Sequence, residues 1–306
     1  MKTLNYNILQ YFNNKNNISK KFKIILILSI YLIYNNKNSY YFGIKNIFKF
    51  IPIQPSSFEF HNYQRHLITE KILKYSGIEQ RNNEPYFLNG IIRKFKPRKC
   101  LEIGVARGGS SVVILNAIKD IDNSLLISLD INENLYIDQN KKTGYVVKTY
   151  FPELCNNKWQ LFTGKQPHIF LSKLNLKFDF LFLDTVHLCP GELFNLIEVL
   201  PFLEDNAIIV LHDITFHFLY TPKLIKIHPS QIILMTSLMG DKIIIPNKKL
   251  GLENIGAIIL FPNQEKYYLN YFLLLLTPWE YLQDQIFLKE LRLFIKKYYK
   301  NELIYI

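Results

Sequence analysis

Four apolar runs, three closing on an aspartate and one carrying Glu102 shortly before a glycine, constrain this chain more than any other feature. They are 99-KCLEIG-104, 125-LLISLD-130, 178-FDFLFLD-184 and 207-AIIVLHD-213. Short runs that are apolar throughout read as strands of a parallel sheet covered on both faces. Helical patterns separate them, at 109–119, 166–174 and 190–203, with another at 84–95 closed by Pro97. A strand at 158–162 and a helical stretch over 61–77 complete an α/β alternation. The last third differs. Residues 231–236, 242–246 and 256–261 predict strands with tight connections, hence an antiparallel edge, and 266–276 and 280–299 predict helices.

The 306 residues are 49% apolar, enough for one large domain or two small ones. Two thirds of the formal charge of +12 sits in residues 1–58, which hold eight lysines and no Asp, Glu or Arg. The prolines and serines of 51-IPIQPSSFEF-60 mark the break, giving a basic N-terminal extension or cap over 1–58 and a second domain over 59–306. The run 22-FKIILILSIYLIY-34, flanked by Lys20, Lys21 and Lys23, falls short of the ~20 residues that span a bilayer. It reads as a buried element of the cap or as an interfacial anchor, so peripheral membrane contact through 20–34 stays open. Cys100, Cys155 and Cys189 form no pair with metal-ligand or disulfide spacing, which suits a reducing cytoplasm. No nucleic-acid partner is expected.

Between the first strand and its helix stands E-x-G-x-x-x-G-G, Glu102 to Gly109. Gly104, Gly108 and Gly109 let backbone approach a ligand, and the helix that opens with Ser110 offers free N–H groups. The spacing is neither the G-x-G-x-x-G of a dinucleotide site nor a P-loop. A carboxylate at the strand end would repel a pyrophosphate and suits a cationic ligand, which points to S-adenosylmethionine. Asp130, at the tip of the second strand, is placed to accept ribose hydroxyls, and Gly164 falls where a loop would border the adenine. The tips 183-LDTVH-187 and 211-LHD-213 bring Asp184, His187, His212 and Asp213 toward one rim. Asp184 and Asp213 are candidate ligands for Mg²⁺ or Mn²⁺, and His187 or His212 is the candidate base.

Taken together, the glycine motif, Asp130, F-D-F-L-F-L-D-T-V-H and E-V-L-P-F-L-E-D-N-A-I-I-V-L-H-D resemble a class I S-adenosylmethionine-dependent methyltransferase. The nearest group includes bacterial sugar O-methyltransferases and cephalosporin-hydroxylase-like proteins. The resemblance implies a Rossmann-like doubly wound sheet of about seven strands, mostly parallel with an antiparallel edge strand and helices on both faces. It implies methyl transfer to a hydroxyl of a small acceptor, a sugar among the candidates, with the acids of the fourth and fifth strand tips, Asp184 and Asp213, on a cation. The chain departs from the pattern at Thr185 and Val186, where a Gly or an acid is common, and at Ile214, where Asn is. A nicotinamide-dependent oxidoreductase and a non-catalytic binding protein of the same fold are the alternatives.

Overall fold

The computed structural model describes residues 57–76, 83–155, 157–215, 230–245, 253–276, 279 and 283–299. The apolar run at 22–34 and nearly all of the basic extension lie outside them. In chain order the elements are α1 (Ser57–Asn62), α2 (Glu70–Tyr75), α3 (Glu84–Phe95), β1 (Lys99–Ile103), α4 (Gly109–Ile118) and β2 (Leu125–Asp130). Then come β3 (Asn134–Leu135), β4 (Asp138–Lys142), α5 (Tyr145–Tyr150), β5 (Trp159–Thr163), α6 (Pro167–Leu174), β6 (Phe178–Leu183), α7 (Gly191–Val199) and β7 (Leu203–His212). The chain continues through α8 (Ser230–Ser237), β8 (Gly240–Ile244), β9 (Ile255–Leu260), α9 (Tyr268–Leu273) and α10 (Gln285–Tyr298).

Seven strands form one sheet in the order β5-β2-β1-β6-β7-β9-β8. The β5-β2-β1-β6-β7 pairings are parallel, and β9 runs antiparallel to both β7 and β8. The antiparallel strand therefore stands one place in from the edge. Successive side chains of a strand face opposite layers. Leu101, Ile103, Leu181 and Leu183 accordingly pack with α7, α8 and α10. Cys100, Phe180 and Phe182 pack with α3, α4 and α5 on the other side. Two apolar faces and two helical layers make the sheet doubly wound, as the sequence predicts.

One expected element is different in kind. The residues at 231–236, expected as a strand, form α8, which is buried at every position. A helix covered on all sides loses its polar stripe and reads as a plain apolar run. The stretch at 61–77 is also broken into shorter pieces: α1 ends at Asn62, a 3₁₀ turn covers Arg65–Leu67, and α2 follows with Thr69 as its cap, accepting from the Ile72 N–H at 3.3 Å. Among the described residues no helix is long and apolar enough to cross a membrane.

The central strand β6 holds the sheet together, so truncation there should be felt throughout. Phe180 is fully buried. Phe180→Ala is expected to cost about 3–5 kcal/mol, read in denaturant unfolding as a lower midpoint at unchanged slope.

Candidate active site

The chain leaves β1 through Gly104, whose φ is +89° and whose N–H donates to the Leu129 carbonyl at 2.9 Å. A Cβ at Gly104 would lie 1.7 Å from the Asp184 carbonyl oxygen, so only glycine allows the β1 and β6 tips this close. Gly108, at φ +93°, turns the loop into α4, and a Cβ there would meet Val147 at 2.9 Å. Asp130 braces the loop. Its Oδ2 accepts from the Val105 and Ala106 N–H groups, both at 2.9 Å, and its Oδ1 accepts from Asn132 N–H at 2.8 Å.

A cleft of about 630 Å³ opens over this rim. Gly104, Ser110 and Asp130 line one end and Asp184 and His187 the other, with Phe194 among the apolar walls. Gly109 begins α4 and, like Gly108, shapes the turn without forming the wall. Gly164, at φ +84°, follows β5, and its N–H donates to the Asp130 carbonyl at 3.1 Å. It too supports the rim from outside the cleft wall.

Glu102 was expected to face a ligand's ammonium group. It points instead into the layer beneath the loop, fully buried. Its Oε1 accepts from Ser110 Oγ–H, and its Oε2 from the hydroxyls of Ser111 and Ser128, all at 2.6 Å. Trp159 Nε1–H donates to Ser128 Oγ at 2.9 Å, closing the network. Burial raises the Glu102 carboxyl from 4.5 to about 7 against the pull of the three hydroxyls. Alternation along β1 is the cause, since Glu102 shares a face with Cys100 and α4.

The four residues expected from the β6 and β7 tips meet at this second end, where Asp184 and His187 line the cleft and His212 and Asp213 are buried and do not. His187 Nε2 lies 3.1 Å from Asp213 Oδ2 and 3.7 Å from Asp184 Oδ1. His212 Nδ1 lies 3.2 Å from Asp184 Oδ2 and 3.4 Å from Asp213 Oδ2. One ligand atom each from Asp184, His212 and Asp213 falls within 4.8 Å of the others. Burial pulls the His187 pKa down, but Glu192, Asp184 and Asp213 outweigh it and lift it from 6.5 to about 9. His212 is likewise raised well above 6.5, burial being outweighed by Asp184 and Asp213. Burial opposes the Asp213 charge, yet His212, His187 and Asn254 hold its carboxyl below its ordinary range.

Four further residues complete the cluster without any signal in the sequence. Glu84, in the first turn of α3, places Oε2 3.0 Å from His212 Nε2. Glu192 of α7 accepts from the His187 backbone N–H at 2.6 Å, and Gln231 of α8 donates to Glu192 Oε1 at 2.6 Å. Asn254 Nδ2–H donates to Asp213 Oδ1 at 2.5 Å. Glu84, Gln231 and Asn254 come from distant parts of the chain, which no local pattern can reveal, whereas Glu192 follows His187 by five residues.

A glycine loop braced by a strand-tip acid, and a rim cluster across one cleft from it, define a Rossmann-like α/β enzyme with its ligand at the C-terminal ends of the strands. Residues 101–214, just over a third of the chain, match the family described as a methyltransferase domain. The match runs from β1 past the tip of β7, so it takes in the glycine loop, Asp130 and the strand-tip acids Asp184 and Asp213, and this segment is similar to a methyltransferase domain. No curated protein matches the chain by sequence. Among solved structures, the SAH-bound methyltransferase PaMTH1 of Podospora anserina is 15% identical, with 67% of this chain and 93% of that one covered at a TM-score of 0.47. The SAM complex of the O-methyltransferase TomG of Streptomyces achromogenes is 14% identical, covering 63% and 90% at 0.45. An O-methyltransferase of Bacillus cereus in complex with SAH is 14% identical, covering 67% and 91% at 0.43.

A raised carboxyl pKa stabilises the fold below the unfolded value and loses that contribution as pH climbs through the folded one. For Glu102 the contribution is complete below 4.5 and gone by about 7, and for His187 it is complete below 6.5 and gone by about 9. Stability of the cation-free protein should therefore fall as pH rises across both windows. Glu102→Gln should flatten the lower window and leave the upper one, measured by denaturant unfolding from about pH 5 to about pH 9.

Proposed function

We propose that the protein is an S-adenosylmethionine-dependent O-methyltransferase for a small hydroxylated acceptor, of which a sugar is the model. The observation that carries this reading is that the glycine-loop end and the acid–imidazole end share one cleft. Donor and acceptor can then be held in line, which is where most of the rate of a displacement arises. Charge supports the choice of donor. Asp130 and Asp184 line the cleft, and no Lys or Arg is among its described lining residues. Such a site suits a sulfonium and an ammonium, and it repels the pyrophosphate of a nicotinamide cofactor.

In this reading Gly104 and its loop admit the methionine portion, and Asp130 turns its remaining lone pairs to the ribose hydroxyls. The methyl carbon leaves sulfur as its bond to the acceptor oxygen forms, and the hydroxyl proton passes to the neutral ring of His187, whose Nε2 stands beside Asp213 and Asp184. Glu102 acts from below, fixing Ser110 at the cleft floor. Asp184 and Asp213 fit a divalent cation, Mg²⁺ or Mn²⁺, because their oxygens converge in a pocket where carboxylates outnumber imidazoles. Such a cation would lower the pKa of a bound hydroxyl.

Calorimetry tests the donor: S-adenosylmethionine and S-adenosylhomocysteine should bind, and tight NAD binding would overturn the assignment. Asp130→Ala should weaken the donor at least about tenfold (about 1.4 kcal/mol); unchanged affinity would remove Asp130 from the ribose. His187→Ala should lower kcat about 10²–10⁴-fold with donor affinity retained. Donor binding without turnover across a broad panel of hydroxylated acceptors would favour a non-catalytic role.

A further inference from the structure

We infer that His212 is a third ligand of the cation proposed above, and that Glu84 is the residue that makes it one. The inference rests on the cation reading of Asp184 and Asp213, and it adds an imidazole donor and the carboxylate that orients it.

His212 is 6% exposed, and its two ring nitrogens have different surroundings. Nε2 faces the buried Glu84 Oε2 at 3.0 Å, an acceptor that requires the N–H on that side. In the neutral ring the lone pair then lies on Nδ1. That atom is buried, has no hydrogen-bond partner, and sits 3.2 and 3.4 Å from one oxygen each of Asp184 and Asp213. A ring nitrogen aimed between two carboxylate oxygens and hydrogen-bonded at its far side to a third carboxylate is the arrangement by which proteins fix a metal-binding histidine. The carboxylate oxygens of Asp184 and Asp213 that flank Nδ1 leave one point at which a divalent cation would meet all three donors.

The donor set decides which cation. Two carboxylates alone suit Mg²⁺, whereas an imidazole nitrogen adds preference for a first-row transition ion. Asp184, His212 and Asp213 come from one rim, and of the three Asp184 lines the cleft. The site is therefore assigned to Mn²⁺ or a similar ion in preference to Mg²⁺. Glu84 is a positioning residue: it belongs to α3, ahead of the whole sheet, and reaches the ion only through His212.

The test uses the full chain, stripped by chelator and titrated with Mn²⁺ and Mg²⁺ separately by calorimetry, with donor binding as the check on folding. Mn²⁺ should bind at least about tenfold more tightly than Mg²⁺, and the bound Mn²⁺ should show a nitrogen coupling by electron spin-echo spectroscopy. That coupling should persist in His187→Ala and vanish in His212→Asp, which keeps a ligand but exchanges nitrogen for oxygen and should erase the preference. Glu84→Gln should weaken Mn²⁺ about 10–100-fold and Mg²⁺ much less. Should Glu84→Gln not fold, the nitrogen coupling of the unaltered protein and its response to the two histidine variants decide alone. A cation bound with no nitrogen coupling and equal affinities for the two ions overturns the inference while the cation reading stands. No binding of either ion to protein that still binds donor overturns both.

Discussion

The carbonyl of Asp184 occupies the place a side chain on residue 104 would take, 1.7 Å from the position of its Cβ. Because Gly104 yields that space, β1 and β6 stay in register to their tips, and the Asp184 N–H donates to the Ile103 carbonyl at 3.0 Å. The loop and the acid-bearing turn then open into one cleft. Any larger residue would push the two tips apart, separating the end that can hold a donor from the end that can act on an acceptor. Asp130 fixes the other side of the same turn through two backbone N–H groups, so the loop is held by a carboxylate that itself faces the cleft.

At the far end, order is achieved against the backbone's own preference. His187 and Asp213 have φ of +60° and +55°, a region that costs a non-glycine residue of order 1–3 kcal/mol. Each is held there by a polar contact from another element. The His187 N–H donates to the buried Glu192, and beyond Asp213 the Thr215 N–H donates to Asn254 Oδ1 at 3.0 Å. Asn254 also binds the Asp213 carboxylate, so one side chain sets both the backbone and the charged group. This is why α7, α8 and the residue leading into β9, which carry no motif, belong to the site as fully as the strand tips do.

The sequence makes the sheet legible because a strand covered on both faces must be apolar along its length. The four rim residues are legible for a related reason: a polar residue that ends such a run has only the rim to occupy. Asp184, His187, His212 and Asp213 meet as expected on that ground. Glu102 shows the limit of the same reasoning. It was read as a strand end, yet one more residue of β1 follows it, and alternation turns it toward α4. Glu84 meets His212 across 128 residues, and no periodicity encodes such a pairing. The β3–β4 hairpin went unread because Asp138–Lys142 is a polar, largely exposed ribbon with no apolar face to betray it. Helix α8 failed oppositely, being apolar on every side.

The charge of the cleft also bears on turnover in the proposed reaction. A cleft lined by Asp130 and Asp184, with no Lys or Arg among the described lining residues, attracts a sulfonium, and methyl transfer converts that sulfonium to a neutral thioether. The attraction that gathers the donor is thereby cancelled by the chemistry itself, so the spent donor keeps its ribose and loop contacts and loses its Coulombic one. The positive charge passes to the acceptor's proton, which in the proposed reaction goes to His187 beside Asp184 and Asp213. Release of that proton therefore has to precede the next cycle. A second positive charge among the same carboxylates would favour that release.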